Sequence, residues 1–232
     1  MKVVAMIPLR GGSKSIPNKN MKLMAEKPLF WWVTSACRES RVFSSVVVST
    51  ESDEIAACVK AHFPDIAVLK RPAELAGDTT STEAVMLHLA DHHAFDYLCT
   101  VQATSPLLTA EHLRNGLGQL LLERYDSMVS CVRWRRFLWS SDGQPLNYDP
   151  RHRPMRQDNP GVFMENGAFY FTKRAILLTN QCRLGGRIGV FEMPEETAVE
   201  VDNPTDWLIV EQLVRQLRFD HGEPPPDHTA SV

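Results

Sequence analysis

The sequence has no run approaching the roughly 20 apolar residues that cross a membrane as a helix. It also lacks an excess of either charge: 25 Lys plus Arg stand against 28 Asp plus Glu, a formal net charge of −3 over 232 residues. That balance removes any global electrostatic case for nucleic acid or an anionic membrane as partner. Cysteine is sparse, with five residues (Cys37, Cys58, Cys99, Cys131 and Cys182) and no C-x-x-C. An odd, widely spaced set, four of them in apolar segments, does not make a secreted disulfide scaffold and suits a reduced compartment. Three phosphate and nucleophile signatures are missing as well. There is no G-x-x-x-x-G-K-[ST], no G-x-G-x-x-G and no G-x-S-x-G, so a Walker A loop, the common dinucleotide fingerprint and a nucleophile elbow are all excluded.

What is present is an ordinary globular composition, 44% apolar and 23% charged. The length fits one α/β domain over residues 1–221 with a small inserted lobe. From Gly222 the chain, with three consecutive prolines, reads as a disordered tail. The apolar start Val3–Leu9 is short, lacks a small-residue cleavage site and runs into Arg10-Gly11-Gly12. It reads as a strand and not a signal peptide.

Apolar periodicity predicts strands at Val3–Leu9, Ser45–Ser49, Ala67–Leu69, Tyr97–Val101 and Ser127–Val132. Helices are predicted over Pro28–Glu39, Asp53–His62, Ser81–His93 and Ala110–Tyr125. Thr80 and Glu83 have capping-box spacing for the third helix. This β-α rhythm predicts a mostly parallel sheet with helices on both faces, whose ligands lie at the carboxyl ends of the strands. The rhythm breaks at Arg133–Pro160, rich in Arg, Pro, Asp and aromatics, which reads as an arm leaving the sheet. Strands resume at Ala168–Phe171, Ile188–Glu192 and Val199–Val201. Asn203-Pro204 then opens a last helix, with Asn at the N-cap and Pro at N1.

Five segments carry chemistry. Arg10–Asn20 follows the first strand with Gly11, Gly12, Ser13, Lys14, Lys19 and Asn20. Two glycines permit close backbone approach and three cations neutralise charge, which favours phosphate binding over a merely solvated basic turn. Gln102-Ala103-Thr104-Ser105-Pro106-Leu107 ends a strand and could hydrogen-bond a substrate, although alone it also reads as a Ser-Pro turn. Arg71 through Thr82 follows another strand, and its hydroxyls serve equally well as helix caps. Glu200, Asp202 and Asp206 could hold Mg²⁺ beside phosphates. Asp206 stands at N3, where a carboxylate also stabilises a helix without metal. Arg151–Asp158, with three arginines, could grip a carboxylate or form a basic surface arm, and is followed by Glu165–Phe171. His88 and His92 share a helix face, but no third ligand accompanies them.

In order and spacing, from about Val3 to Phe219, these motifs resemble the CMP-sialic acid synthetases, also called acylneuraminate cytidylyltransferases. The loop is similar to that family's A-R-G-G-S-K-G-I-P-x-K-N and Gln102–Leu107 to its Q-P-T-S-P-L. Asn166-Gly167-Ala168 is similar to its N-G-A/S and Val199–Asp206 to its D-I-D-x-x-x-D. Pro145–Phe171, with R-P-x-R-Q-D and E-N-G-x-F-Y-F, resembles the animal enzymes, whose phosphatase-like extra domain lies past the end of this chain. Here Ser15 replaces a usual Gly, Thr82 a usual Ser and Glu200 a usual Asp.

The resemblance implies a Rossmann-like nucleotidyltransferase fold with an inserted dimerisation arm. It implies a homodimer, or a dimer of dimers, in which the arm completes the partner's site. The implied reaction joins CTP to a nonulosonic acid (N-acetylneuraminate or KDN), giving CMP-sugar and pyrophosphate, with Mg²⁺ as cofactor. Arg10, Gly11, Gly12, Ser13, Lys14, Lys19 and Asn20 would hold the triphosphate, with Lys19 nearest the transferring centre. Arg71 and Thr82 would lie near the cytidine. Gln102, Thr104, Ser105 and Asn166 would serve the sugar, with Arg156 reaching in from the other subunit. Asp202, with Glu200 or Asp206, would hold the metal. Enzymes for legionaminic acid or KDO, and a non-catalytic nucleotide-binding homologue, are the competing readings. The expected compartment is the cytoplasm, or the nucleus in an animal.

Overall fold

A computed structural model describes residues 1–220, apart from the side chains of Arg156 and of residues 217–220. The tail expected from Gly222 lies outside the described residues. The chain runs β1 (Val3–Pro8), a small ribbon of β2 (Leu23–Met24) and β3 (Lys27–Pro28), α1 (Leu29–Ser40), β4 (Ser45–Thr50), α2 (Asp53–His62) and β5 (Ala67–Lys70). It continues with α3 (Thr82–His92), β6 (Tyr97–Val101), α4 (Ala110–Leu122), β7 (Ser127–Trp134), β8 (Val162–Lys173), α5 (Arg174–Asn180), β9 (Ile188–Met193) and α6 (Pro204–Asp220). Seven strands form one sheet in the order β5-β4-β1-β6-β8-β7-β9. All are parallel except β8, which runs antiparallel to both β6 and β7. The mostly parallel sheet with helices is the expected class.

Alternation along β1 sends side chains to both faces of the sheet. Val3, Ala5 and Ile7 pack in one apolar cluster with Phe30 and Val33 of α1 and Leu113 of α4. Val4 and Met6 pack in another with Val85, Met86 and Leu89 of α3 and Leu177 of α5. A strand buried on both faces is what its unbroken apolar run required. The five cysteines are free, with Cys37, Cys99 and Cys131 buried. Burial pushes the Cys131 thiol up to about 11, so it is an inert core residue.

Several boundaries differ from the sequence reading. The cap of α3 is Ser81, whose hydroxyl accepts from Ala84 N at 3.2 Å. Thr80 instead donates to Glu74 O at 3.0 Å, and the Glu83 carboxylate is held by Arg183 at 2.5 and 3.1 Å. Helix α4 stops at Leu122 because Arg124 takes a left-handed φ of 56°. The expected strand at Val199–Val201 does not form. Val201 makes one backbone bond into the neighbouring segment, donating to Thr104 O at 2.9 Å, with no ladder around it. Residues 135–161 do leave the sheet, as short 3-10 turns and an isolated bridge between Trp139 and Pro145.

Candidate active site

Strands β1, β5 and β6 are parallel, so the segments that follow them emerge at one end of the sheet. A cleft of about 310 Å³ opens there. Arg10, Lys19, Asn20, Arg71, Thr82, Gln102 and Thr104 line it, facing a wall of Leu75–Asp78. Seven residues singled out from the sequence thus converge from segments nearly a hundred residues apart.

The Arg10–Asn20 loop is a built structure. Ile16 is buried and anchors it in an apolar cluster with Leu29 and Trp207. Asn20 Nδ2 donates to Arg10 O at 2.9 Å, closing the loop on itself. Gly11 N donates to Glu51 at 2.5 Å, and a Cβ on Gly11 would stand 3.2 Å from that carboxylate oxygen. A Cβ there would make that carboxylate or Ser52 shift slightly, so glycine suits the close approach.

Each cation of the loop meets an acid. Arg10 and Lys14 both pair with Asp78, at 2.9 and 2.6 Å. Those two cations, Lys14 foremost, hold the Asp78 carboxyl below the usual carboxylate range. Lys19 Nζ donates to Val201 O at 2.9 Å and lies 3.4 Å from Asp202. Buried Arg71 pairs with Glu51 through Nε at 3.2 Å and Nη2 at 2.9 Å.

The acidic segment meets the cleft through Lys19 and Thr104. Glu200 is half-buried, and its carboxyl is pushed up first by burial and then by the charge of Asp202. Gly167 has a φ of +62°, and a Cβ there would strike the Glu200 carboxylate. Asp206 is a helix cap. Its Oδ2 accepts from Asp202 N at 3.0 Å and Asn203 N at 2.9 Å, while Asn203 Oδ1 accepts from Thr205 N and Asp206 N. No cluster of three or more His, Cys, Asp or Glu that could hold a metal occurs among the described residues. Two hard carboxylates, Asp202 and Glu200, are nonetheless the donor set that Mg²⁺ accepts when phosphates complete its shell.

Of the expected substrate residues, Gly11, Gly12, Ser13, Lys14, Ser105 and Asn166 are not among those that line the cleft. Asn166 is fully buried, donating to Thr197 Oγ1 at 3.0 Å and O at 3.3 Å. Ser105 is buried, with its hydroxyl 3.5 Å from Asn166 O. Gly12 and Ser13 stay on the loop, and the Arg156 side chain lies outside the described residues.

Sequence reasoning missed Glu51 and Asp78. Glu51 directly follows β4, a strand-end position of the kind that flagged Gln102. Asp78 sits in a turn whose hydroxyls drew attention instead.

The family described as cytidylyltransferase matches residues 4–221. N-acylneuraminate cytidylyltransferase A of Danio rerio is 38% identical over 234 residues, covering 97% of this chain and 53% of that protein. N-acylneuraminate cytidylyltransferase of Oncorhynchus mykiss is 38% identical over 225 residues, covering 94% and 51%. The chain thus spans about half the length of these animal relatives. Among solved structures, a CMP:2-keto-3-deoxy-manno-octonic acid synthetase complexed with CTP superposes with a TM-score of 0.71 at 18% identity, covering 94% of this chain and 100% of that one. At that identity the likeness speaks for the fold.

Proposed function

Since the chain belongs to the cytidylyltransferase family, we propose that it joins CTP to a nonulosonic acid of the sialic acid type, N-acetylneuraminate or KDN, releasing pyrophosphate and the CMP-sugar. The observation that carries this reading is the convergence of Arg10, Lys19, Asn20, Arg71, Gln102 and Thr104 on one cleft at the strand ends. The names of the relatives that match nearly the whole chain support the choice of acid.

In this reading the anomeric hydroxyl oxygen bonds to the α-phosphorus and gives up its proton to solvent, the bond to the bridging oxygen breaks, and pyrophosphate carries that oxygen away. Charge spreads over the phosphate oxygens, so catalysis is positioning and electrostatic stabilisation. Arg10, Lys14 and the loop amides hold the β- and γ-phosphates. Lys19, tied to Val201 and Asp202, presents its ammonium to the α-phosphate. Arg71 and Thr82 lie beside the nucleoside, and Gln102 faces the sugar acid. Asp202 and Glu200 would hold Mg²⁺, which when bound neutralises phosphate charge. Asp206 keeps its place as a cap.

The working unit is a homodimer and its compartment the cytoplasm. No described helix is long and apolar enough to cross a membrane. The arm exposes Trp139, Leu146 and Met155, and Phe163 beside it is exposed too, an apolar set that a second copy would cover. Arg156 would then reach the other subunit's site. If so, Arg156→Ala and Lys19→Ala homodimers are each nearly inactive. Mixed under subunit exchange they recover up to about a quarter of wild-type activity, because half the dimers are mixed and each has one intact site. No recovery despite proven exchange would put Arg156 to work in its own chain or nowhere.

The reading as a whole is tested by pyrophosphate release from CTP and Mg²⁺ against a panel of 2-keto sugar acids. Release with N-acetylneuraminate or KDN is expected. Release only with KDO or legionaminic acid would move the substrate, and no release with any acid would refute the enzyme.

A further inference from the structure

Glu51 occurs in none of the motifs that identify the site, and it is absent from the cleft wall. It stands one residue past β4 and joins two segments that do line the cleft. One carboxylate oxygen, Oε1, accepts from Gly11 N at 2.5 Å. The other, Oε2, accepts from Arg71 Nε at 3.2 Å and Nη2 at 2.9 Å. The side chain of Arg71 is only 3% exposed and that of Glu51 18%, so the pair is shielded from salt and water. Arg71 Nη1 has no protein partner among the described residues, so one edge of the guanidinium is fixed and the other remains for a ligand. The approach of Gly11 to Oε1 is so close that only glycine fits without displacement.

We propose that Glu51 is a positioning residue that sets the spacing between the phosphate loop and Arg71, and so determines nucleotide affinity without touching substrate. A carboxylate is required because both of its oxygens accept. Glutamine has the same shape but one oxygen, and its amide must present N–H either to Gly11 N–H or to the guanidinium. This inference rests on the reading of the loop as a triphosphate site, and the experiment separates the two.

Binding of inorganic triphosphate and of CTP is measured by calorimetry on the full chain, wild type and Glu51→Gln, with steady-state kinetics alongside. Wild type should bind triphosphate. Glu51→Gln should weaken both ligands by about tenfold or more, as expected for a lost charge-assisted pair. Its KM for CTP should rise in step while its KM for the sugar acid stays within about twofold. Loss of folded protein alone would lower kcat and leave both KM values in place. If wild type binds CTP but not triphosphate, the loop reading fails. If both proteins bind triphosphate and CTP equally, the role of Glu51 fails. Should Glu51→Gln not fold, Glu51→Asp replaces it, because the shorter carboxylate keeps the charge beside Arg71 but cannot span both partners. It should then bind triphosphate and CTP about tenfold more weakly than wild type, and binding equal to wild type would overturn the proposal.

Discussion

At the loop end of the cleft, Arg10, Lys14, Lys19 and Arg71 are each paired with a carboxylate from a distant segment. At the acidic end, Asp202 is 71% exposed at its side chain, Glu200 is half-buried beside a glycine, and Asp206 is spent on the start of α6. The cations are held in place by acids that differ in exposure. Asp78 is a half-exposed surface acid, whereas Glu51 is shielded. The carboxylates at the other end have no such partners, apart from the contact of Asp202 with Lys19. On the proposed reading, one end is organised before substrate arrives and the other by what binds.

The comparison breaks first at Lys19, the one residue shared by both ends. Lys19→Ala should lower kcat by about 10²–10³-fold with little change in the KM for CTP, because its charge matters most where charge develops. A raised KM at unchanged kcat would demote it to ground-state binding. Asp202→Asn follows, with turnover down by about 10²-fold and a flattened response to Mg²⁺ titration. Its melting temperature should hold, since the side chain is mostly exposed. A wild-type Mg²⁺ response would remove it from the metal site.

The acidic end also divides internally. Asp206→Ala should cost about 1 kcal/mol of stability as a lost cap, a fall of about 2–4 °C in Tm for a chain of this size. It should cost far less activity than Asp202→Asn, and the reverse ranking would make Asp206 the ligand. The smallest effect belongs to Asp78→Asn, which frees Arg10 and Lys14 and should lower the KM for CTP by about twofold. The carboxyl is held low by Lys14 and Arg10. It therefore stays ionised, and its ion pairs persist, until pH falls through that lowered value. The effect should accordingly be constant between about pH 6 and 9. A raised KM would show that Asp78 helps bind nucleotide.

Much of this was legible in the sequence because local chemistry states it. The apolar runs of β1, β4 and β6, the loop after β1 and the Asn203-Pro204 helix start all stand where the pattern put them. The failures are tertiary. Val199–Val201 has strand-like residues, yet its one visible ladder partner is Thr104 O, and an isolated bond makes no strand. Glu83 looked like the N3 residue of a capping box, but Arg183 took its carboxylate. The hydrogen bond of Asn166 to Thr197 joins segments 31 residues apart, so its motif does not state it. Glu51 and Asp78 are single acids whose meaning lies in partners 40 and 68 residues away, beyond the reach of any local pattern.

The central claim is that the cleft selects a cytidine triphosphate and opens its α-phosphate to a sugar acid. It is tested most directly by pyrophosphate release with N-acetylneuraminate from CTP, UTP, ATP and GTP in parallel. The cleft as described predicts a kcat/KM for CTP at least about 100-fold above ATP and GTP, a discrimination of the size that groups built to hydrogen-bond one base can supply. Comparable turnover with ATP or GTP would contradict it.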